Sequence, residues 1–369
     1  MQILKSDGEL LKQFHERWVR GFKNGTVQIA PDAANGSCLF RFVSGIQHME
    51  LTFAALCEHN AWTMVSEDFT QYLDALLEDH DIRYDGTSIT DVTGELVWPV
   101  ENRPAPFVGS FSEDCRIDSE DLDDMLSALY LFMDAGSTNT SRNTIMIART
   151  DKKISWYSTD SNIMCVFSMP AHKAMTEEDP FCMSLANAKF LQYVAKNMHG
   201  SMLTDDSRLS IQFDRTSSYM KVTGPGWSCV FVNAGRSAIR PSSVRFPSAP
   251  SFQFYASIWR NNIDDFVKMA HAAGMKETQI TIDPQKNDMC SVSAQIGELS
   301  YEERYAISDI TDRITAVRLN TRYLKNALDA LRGNATMYIS PDGRLVRMHN
   351  TSHKAETSVY IATIKEEKQ

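Results

Sequence analysis

A chain of 369 residues with 37 Lys and Arg against 47 Asp and Glu, a net charge of −10, has room for two or three domains and is too acidic to coat nucleic acid by bulk basicity. At 43% hydrophobic and 23% charged residues it is not a largely disordered chain, and no apolar run approaches the roughly 18–20 residues of a membrane span. The seven cysteines (Cys38, Cys57, Cys115, Cys165, Cys182, Cys229 and Cys290) are scattered and lack CxxC spacing, and the opening MQILKSDGELLKQFHERW lacks a signal-peptide pattern. The expected state is therefore buried thiols in a reducing compartment, the cytoplasm.

In chain order, GELLKQFHERWVRGF places Leu10, Leu11, Phe14, Trp18 and Phe22 on a helical stripe. WTMVSEDFTQYLDALL then reads as a short strand feeding an amphipathic helix, and IRYDGTSITDVTGELVWPV as strand–turn–strand with its reversal at Asp85-Gly86. A proline-rich stretch, Glu101 to Pro106, follows. DSEDLDDMLSALYLFMDAG opens a second helix at cap candidates Asp118 and Ser119 and closes it at Gly136. NTIMIARTDKKISWYSTDSNIMCVFSM reads as strands with alternating apolar positions. FCMSLANAKFLQYVAKNM repeats the strand-into-helix pattern, and RLSIQFDRTSSYMKVTGPGWSCVFV is a hairpin turning at Gly224-Pro225-Gly226. After Phe246-Pro247-Ser248-Ala249-Pro250 comes ASIWRNNIDDFVKMAHAAG, with Ile258, Ile263, Phe266, Val267 and Ala270 expected on one buried face and a stop at Gly274. ITAVRLNTRYLKNALDAL and a hairpin through Pro341-Asp342-Gly343 complete the chain.

The same plan thus occurs three times, each copy with an aromatic-Leu pair in its second helix: Tyr72-Leu73, Phe190-Leu191 and Tyr323-Leu324, 118 and 133 residues apart. Repeats that long are domains, and the proline-rich stretches divide them into residues 1–103, 104–247 and 248–369, an α+β architecture of helix, strands, helix, strands in each. No nucleophile with a base, glycine-rich phosphate loop or metal-spaced ligand set stands out. His349 and His353 are four apart in a strand-loop region, where that spacing does not converge on a metal. The expectation is a protein that is not an enzyme and holds no cofactor or metal.

Several stretches resemble the bacterial sliding clamp of the DNA polymerase III β-subunit type. Trp156 to Met164 resembles that family's strand followed by Ala-Thr-Asp-Gly-His-Arg-Leu, keeping Thr159-Asp160 but carrying Ser161-Asn162-Ile163-Met164 in place of Gly-His-Arg-Leu. Phe246-Pro247 resembles the Phe-Pro that opens the linker to the third domain, and Leu319 to Leu328 the Phe-Asn-x-x-Tyr-Leu-x-x-x-Leu helix. Val359 to Ile364 resembles the closing strand, and Ser44 to Glu50 echoes a first-domain strand. The divergence fits a viral or otherwise specialised member.

The resemblance implies three repeated DNA-clamp domains, closure of two chains into a ring around double-stranded DNA, and docking of DNA polymerase and clamp loader through short peptide motifs. A sliding ring meets phosphates loosely through basic side chains. The candidates are Lys12, Arg17, Arg20, Lys23, Lys189, Lys196, His199, Arg260, Lys268, Arg322, Lys325 and Arg332. The acidic stretches Glu67 to Asp81 and Glu120 to Asp134 run against this. Carried over by position, the peptide pocket is walled by Thr159, Ser161, Asn162, Ile163, Met164, Pro247, Phe252, Ile361 and Thr363. Leu96, Trp98 and Met275 are candidates for the homodimer interface. The alternative is a clamp-fold decoy that binds clamp partners without encircling DNA.

Overall fold

Residues 2–22, 25–32, 34–45, 47–56, 61–78, 82–84, 87–91, 97–100, 110–150, 152–171, 179–197, 208–214, 216, 218–237, 239–240, 244, 246, 249–275, 278–285, 288–296, 299–311, 314–331, 333–351 and 355–364 are described by a computed structural model. Among them one order of elements occurs three times: a strand and a helix, three strands, then a second strand, helix and three strands. The first round is β1 (Gln2–Ile3), α1 (Lys5–Gly21), β2 (Thr26–Asp32), β3 (Ser37–Ser44), β4 (Gln47–Leu56), β5 (Trp62–Val65), α2 (Ser66–Leu77), β6 (Ile82–Tyr84), β7 (Ser88–Asp91) and β8 (Val97–Pro99). The second is β9 (Phe111–Asp118), α3 (Ser119–Tyr130), a single-turn α4 (Thr140–Asn143), β10 (Thr144–Thr150), β11 (Lys153–Thr159), β12 (Ile163–Pro170), β13 (Phe181–Ser184), α5 (Leu185–Asn197), β14 (Arg208–Asp214), β15 (Tyr219–Gly224) and β16 (Trp227–Val232). The third is β17 (Ser251–Tyr255), α6 (Ala256–Ala272), β18 (Gln279–Pro284), β19 (Met289–Ile296), β20 (Leu299–Ala306), β21 (Val317–Asn320), α7 (Thr321–Ala330), β22 (Asn334–Ile339), β23 (Leu345–Thr351) and β24 (Glu356–Ala362).

The chain packs as two compact units, residues 1–123 with 183–234 and residues 124–182 with 235–369. These cross the borders of the sequence repeats because main-chain pairing joins one repeat to the next. In the first unit β4 pairs antiparallel with β16, Trp227 opposite Leu51, giving the sheet order β5-β2-β3-β4-β16-β15-β14-β9. In the second, β12 pairs antiparallel with β24, Ile163 opposite Ile361, giving β13-β10-β11-β12-β24-β23-β22-β17. The first unit also holds a separate sheet β6-β7-β8, and the second a sheet β20-β19-β18-β21.

Core burial follows from periodicity. On β2, β3 and β4, Val27, Ile29, Phe40, Phe42, Met49 and Leu51 share one face and are fully buried. Helix α1 seats Leu11, Phe14, His15 and Trp18, and Trp18 meets Phe42 and Phe190 edge-on or tilted at 6.5 and 5.3 Å. The aromatic-Leu pairs are core residues: Tyr72, Leu73, Phe190, Leu191 and Leu324 are buried, Tyr323 partly so. Asn320 caps α7, its Oδ1 accepting the Arg322 N–H at 2.9 Å. The hairpin glycines Gly226 and Gly343 have φ of +72° and +63°, as the turn signals require. Asp85-Gly86 lies outside the described residues.

Three expectations change. On α6 the buried face is Ala256, Trp259, Ile263, Phe266 and Ala270; Ile258 is 55% exposed, because Trp259 fills the space against Phe254 and Tyr305. Helix α3 ends at Tyr130, six residues before Gly136, and continues in turns. β10 and β11 do not alternate. They are buried on both faces, since residues of the 234–250 segment cover the second one. The six described cysteines are buried thiols in no disulfide, and burial pushes the Cys182 and Cys290 thiols up to about 11 and about 12. No helix among the described residues is long and apolar enough to cross a membrane.

Candidate functional site

Sheet register sorts the expected pocket residues before any chemistry is considered. Opposed residues of an antiparallel pair share a face, so Thr159, Met164, Tyr360, Arg347, Tyr338 and Ser251 form one row across β11, β12, β24, β23, β22 and β17. Neighbouring residues in each strand face the other way. Ile163, Ile361 and Phe252 therefore point into the helical core, where they are at most 2% exposed and Phe252 packs on Trp259. That placement corrects their assignment as walls of one pocket with Met164. Of the remaining expected residues, Thr159 is buried with its hydroxyl on the Ile163 carbonyl. Ser161 and Asn162 are exposed at the β11–β12 turn, and Asn162 Nδ2 donates to the Tyr323 hydroxyl at 3.3 Å. Thr363 donates to the Gly343 carbonyl at 2.7 Å. Pro247 lies outside the described residues.

What covers this face is the segment between β16 and β17. Met146, Tyr157, Met164 and Val166 form a buried apolar cluster against which Ile239, Val244 and Tyr360 pack, and the Tyr157 hydroxyl donates to the Ile239 carbonyl at 2.8 Å. Further along the row, Phe246 lies 6.4 Å from both Tyr338 and Tyr360, and the Arg347 guanidinium sits 5.5 and 5.8 Å from the same two rings. The sequence reading missed Tyr157, Phe246, Tyr338, Arg347 and Tyr360. The period of two held the signal, since Ile163 with Met164, or Tyr360 with Ile361, cannot share a face.

Ser161 has φ +88°, at the position where the resembling family carries glycine. A side chain there is strained in left-handed backbone by about 1–2 kcal/mol, against about 0.5–1 kcal/mol of extra entropy that glycine loses on folding. Ser161→Gly is therefore expected to raise unfolding free energy by roughly 0.5–1 kcal/mol in urea titrations; a loss of stability would show that the extra entropy glycine loses on folding outweighs the relieved strain.

The basic residues divide by partner. The six long helices carry ten Lys and Arg against thirteen Asp and Glu. Lys12 is ion-paired with Asp74 of α2, which raises its pKa. Arg20 faces Glu16 at 3.9 Å. On α6 and α7, Arg260 binds Asp329 at 2.7 Å, Lys325 binds Asp329 and Asp264 at 2.9 and 3.3 Å, and Lys268 binds Asp264 and Asp265 at 2.9 and 3.3 Å. Arg17 and Arg322 lie over the rings of Tyr193 and Tyr323. Lys189 and Lys196 are exposed on α5. Lys23, His199 and Arg332 lie outside the described residues.

Two strand edges complete the inventory. β8 ends the sheet β6-β7-β8 and β20 ends the sheet β20-β19-β18-β21. Trp98 of β8 turns inward, 2% exposed and 5.8 Å from Tyr72, whereas Val97 is 56% and Met275 36% exposed. Leu96 lies outside the described residues.

Repeats of strand and helix linked by shared sheets define the fold class of sliding clamps. No family model matches the chain, and no curated protein matches it in sequence. Solved structures match over nearly its whole length. The DNA polymerase sliding clamp of Pseudomonas aeruginosa shares 10% identity at a TM-score of 0.70, covering 97% of this chain and 98% of that one. The β subunit from DNA polymerase of Streptococcus pyogenes (12%, TM-score 0.69) and the DNA polymerase III β chain of Streptococcus pneumoniae (13%, TM-score 0.67) match with the same coverages. The chain has the fold of DNA polymerase III β-subunit sliding clamps.

Proposed function

We propose that this protein is a DNA polymerase processivity factor, two copies of which close into a ring around duplex DNA, with three clamp domains per chain meeting near residues 103 and 247. The observation that carries the reading is the repeated strand junction. The third strand of one half-repeat pairs with the third strand of the next repeat's second half twice, as β4 with β16 and β12 with β24. The corresponding strands left over are β20 and β8. A second copy supplies β8 to β20 and takes β20 on its own β8, so both edges are capped and the assembly closes after two chains. The partly exposed end of the row, where Tyr338, Arg347 and Tyr360 lie beside Phe246, then serves as the docking site for short peptides of polymerase and clamp loader. An apolar floor beside a few polar groups is what such recognition needs.

The helix charges give the ring a particular character. Five basic residues of the described helices (Lys5, Arg17, Lys189, Lys196 and Arg322) form no ion pair with another described residue, so phosphate contact is sparse. Each phosphate contact contributes about −0.9 to the slope of log K against log salt. We expect a slope no steeper than about −4.5 per chain, and Lys189→Ala with Lys196→Ala to flatten it by up to about 2. The same acidic balance favours a second reading, a clamp-fold protein that binds clamp partners without encircling DNA. Retention on nicked circular DNA, measured by gel filtration with a loader present and at salt that strips ordinary binding, separates the two. Retention that is lost when the circle is cut linear supports encirclement. Equal loss from circle and line supports the decoy.

A further inference from the structure

The row that forms the proposed docking site carries a cation, Arg347, that has no carboxylate within ion-pairing distance among the described residues; Glu356 acts on it only from further off. The Arg347 guanidinium lies over the rings of Tyr338 and Tyr360, 5.5 and 5.8 Å from their centroids. Its Nη2 is shared between the Ser358 hydroxyl at 3.3 Å and His349 Nδ1 at 3.4 Å, and its Nε is buried without an acceptor. Burial, together with the neighbouring Arg347, holds His349 below the usual imidazole range, so it is a neutral partner. Glu356 on the adjacent strand is taken by Lys153 at 2.7 Å. Among the described residues no carboxylate pairs with Arg347. A half-buried guanidinium over two rings, with its Nε lacking an acceptor and no carboxylate in ion-pairing distance, is placed to take an incoming carboxylate.

We propose that Arg347 makes the docking site selective for peptides that carry an acidic side chain beside their apolar anchor. The inference rests on the docking reading above and specifies which partner segments the site takes. The anchor sits against Phe246 and the tyrosine rings, and the acidic residue reaches to the guanidinium. The two tyrosine rings keep the cation from swinging into solvent, so an Asp or Glu is recognised at a set distance from the anchor. Glutamine, equal in size but uncharged, loses the charge-assisted bond.

The test is selection of random nine-residue peptides, displayed by C-terminal fusion so that no free chain end competes, against the full-length protein. Fluorescence anisotropy then compares each selected peptide with its Glu→Gln or Asp→Asn version. The expected result is enrichment of acidic residues near an apolar anchor, and a roughly tenfold weaker Kd for the amide peptide. Arg347→Gln should bring the two peptides within about twofold of each other, and Arg347→Lys, which keeps charge without the planar fork, should leave an intermediate preference. Equal affinity of acidic and amide peptides for the parent protein overturns the proposal and leaves the docking site standing. Enrichment only when the library ends in a free carboxylate also overturns it, because the chain end is then the ligand. Selected peptides indifferent to Phe246→Lys overturn the docking reading and this proposal together.

Discussion

In solution the protein is expected to run as a particle of twice its 41.7 kDa chain mass, stable to dilution, by light scattering. The reason lies in the sheet edges. A strand edge such as that of β20 exposes unpaired main-chain groups, and the two equivalent edges elsewhere in the chain are covered by pairing across repeats. In a closed pair the β8–β20 junction occurs twice, so every perturbation counts double. Val97→Asp replaces an exposed apolar side chain on β8 by a carboxylate that would meet an edge bearing Glu302 and Glu303. At about 1.5 kcal/mol per junction, from lost apolar burial and like-charge opposition, the pair weakens by about 3 kcal/mol, roughly a hundredfold in Kd. A monomer in the parent protein at micromolar concentration would remove the encircling mechanism. An unchanged dimer in the variant would place the interface elsewhere.

Such a junction was only partly legible in the sequence. The repeat itself could be read because helix periodicity and the aromatic-Leu pairs are local, and α2, α5 and α7 fall where those pairs place them. The two-unit packing could not, because it depends on β4 finding β16 and β12 finding β24, pairings between segments about 180 to 200 residues apart with no local signature. Burial on both faces of β10 and β11 was hidden for a related reason. The residues that cover the second face, Ile239 and Val244, belong to a stretch without helix or strand period. Likewise Lys12, Arg260, Lys268 and Lys325 read as free cations in sequence, while the structure ties each to a carboxylate that a helical wheel alone reveals only for the pairs within one helix.

His15 illustrates the same limit from inside the core. It sits on the buried stripe of α1, fully enclosed, with ring centroids 5.4 Å from Phe42 and 5.0 Å from Phe69. Its Nδ1 lies 3.2 Å from the Thr70 hydroxyl and its Nε2 has no partner. Burial alone pushes its pKa down to about 4, from 6.5 in the open chain. A group whose folded pKa is depressed takes up its proton earlier in the unfolded chain. Acid therefore favours unfolding between the two values, and the contribution is complete above pH 6.5. Working the linkage through, the fold loses about 2 kcal/mol by pH 5 and about 3 kcal/mol by pH 4 from this residue. His15→Phe, paired with Thr70→Val so that no hydroxyl is stranded, removes that term while keeping an aromatic ring among aromatics. Urea unfolding of parent and double variant at pH 7 and pH 4.5 is the measurement. The parent should lose more than the variant between those pH values by about 2.5 kcal/mol, whatever the carboxylates contribute to both. Parallel losses would mean that the imidazole is reached by water or finds an acceptor on protonation, and that the acid sensitivity of the core lies in other groups.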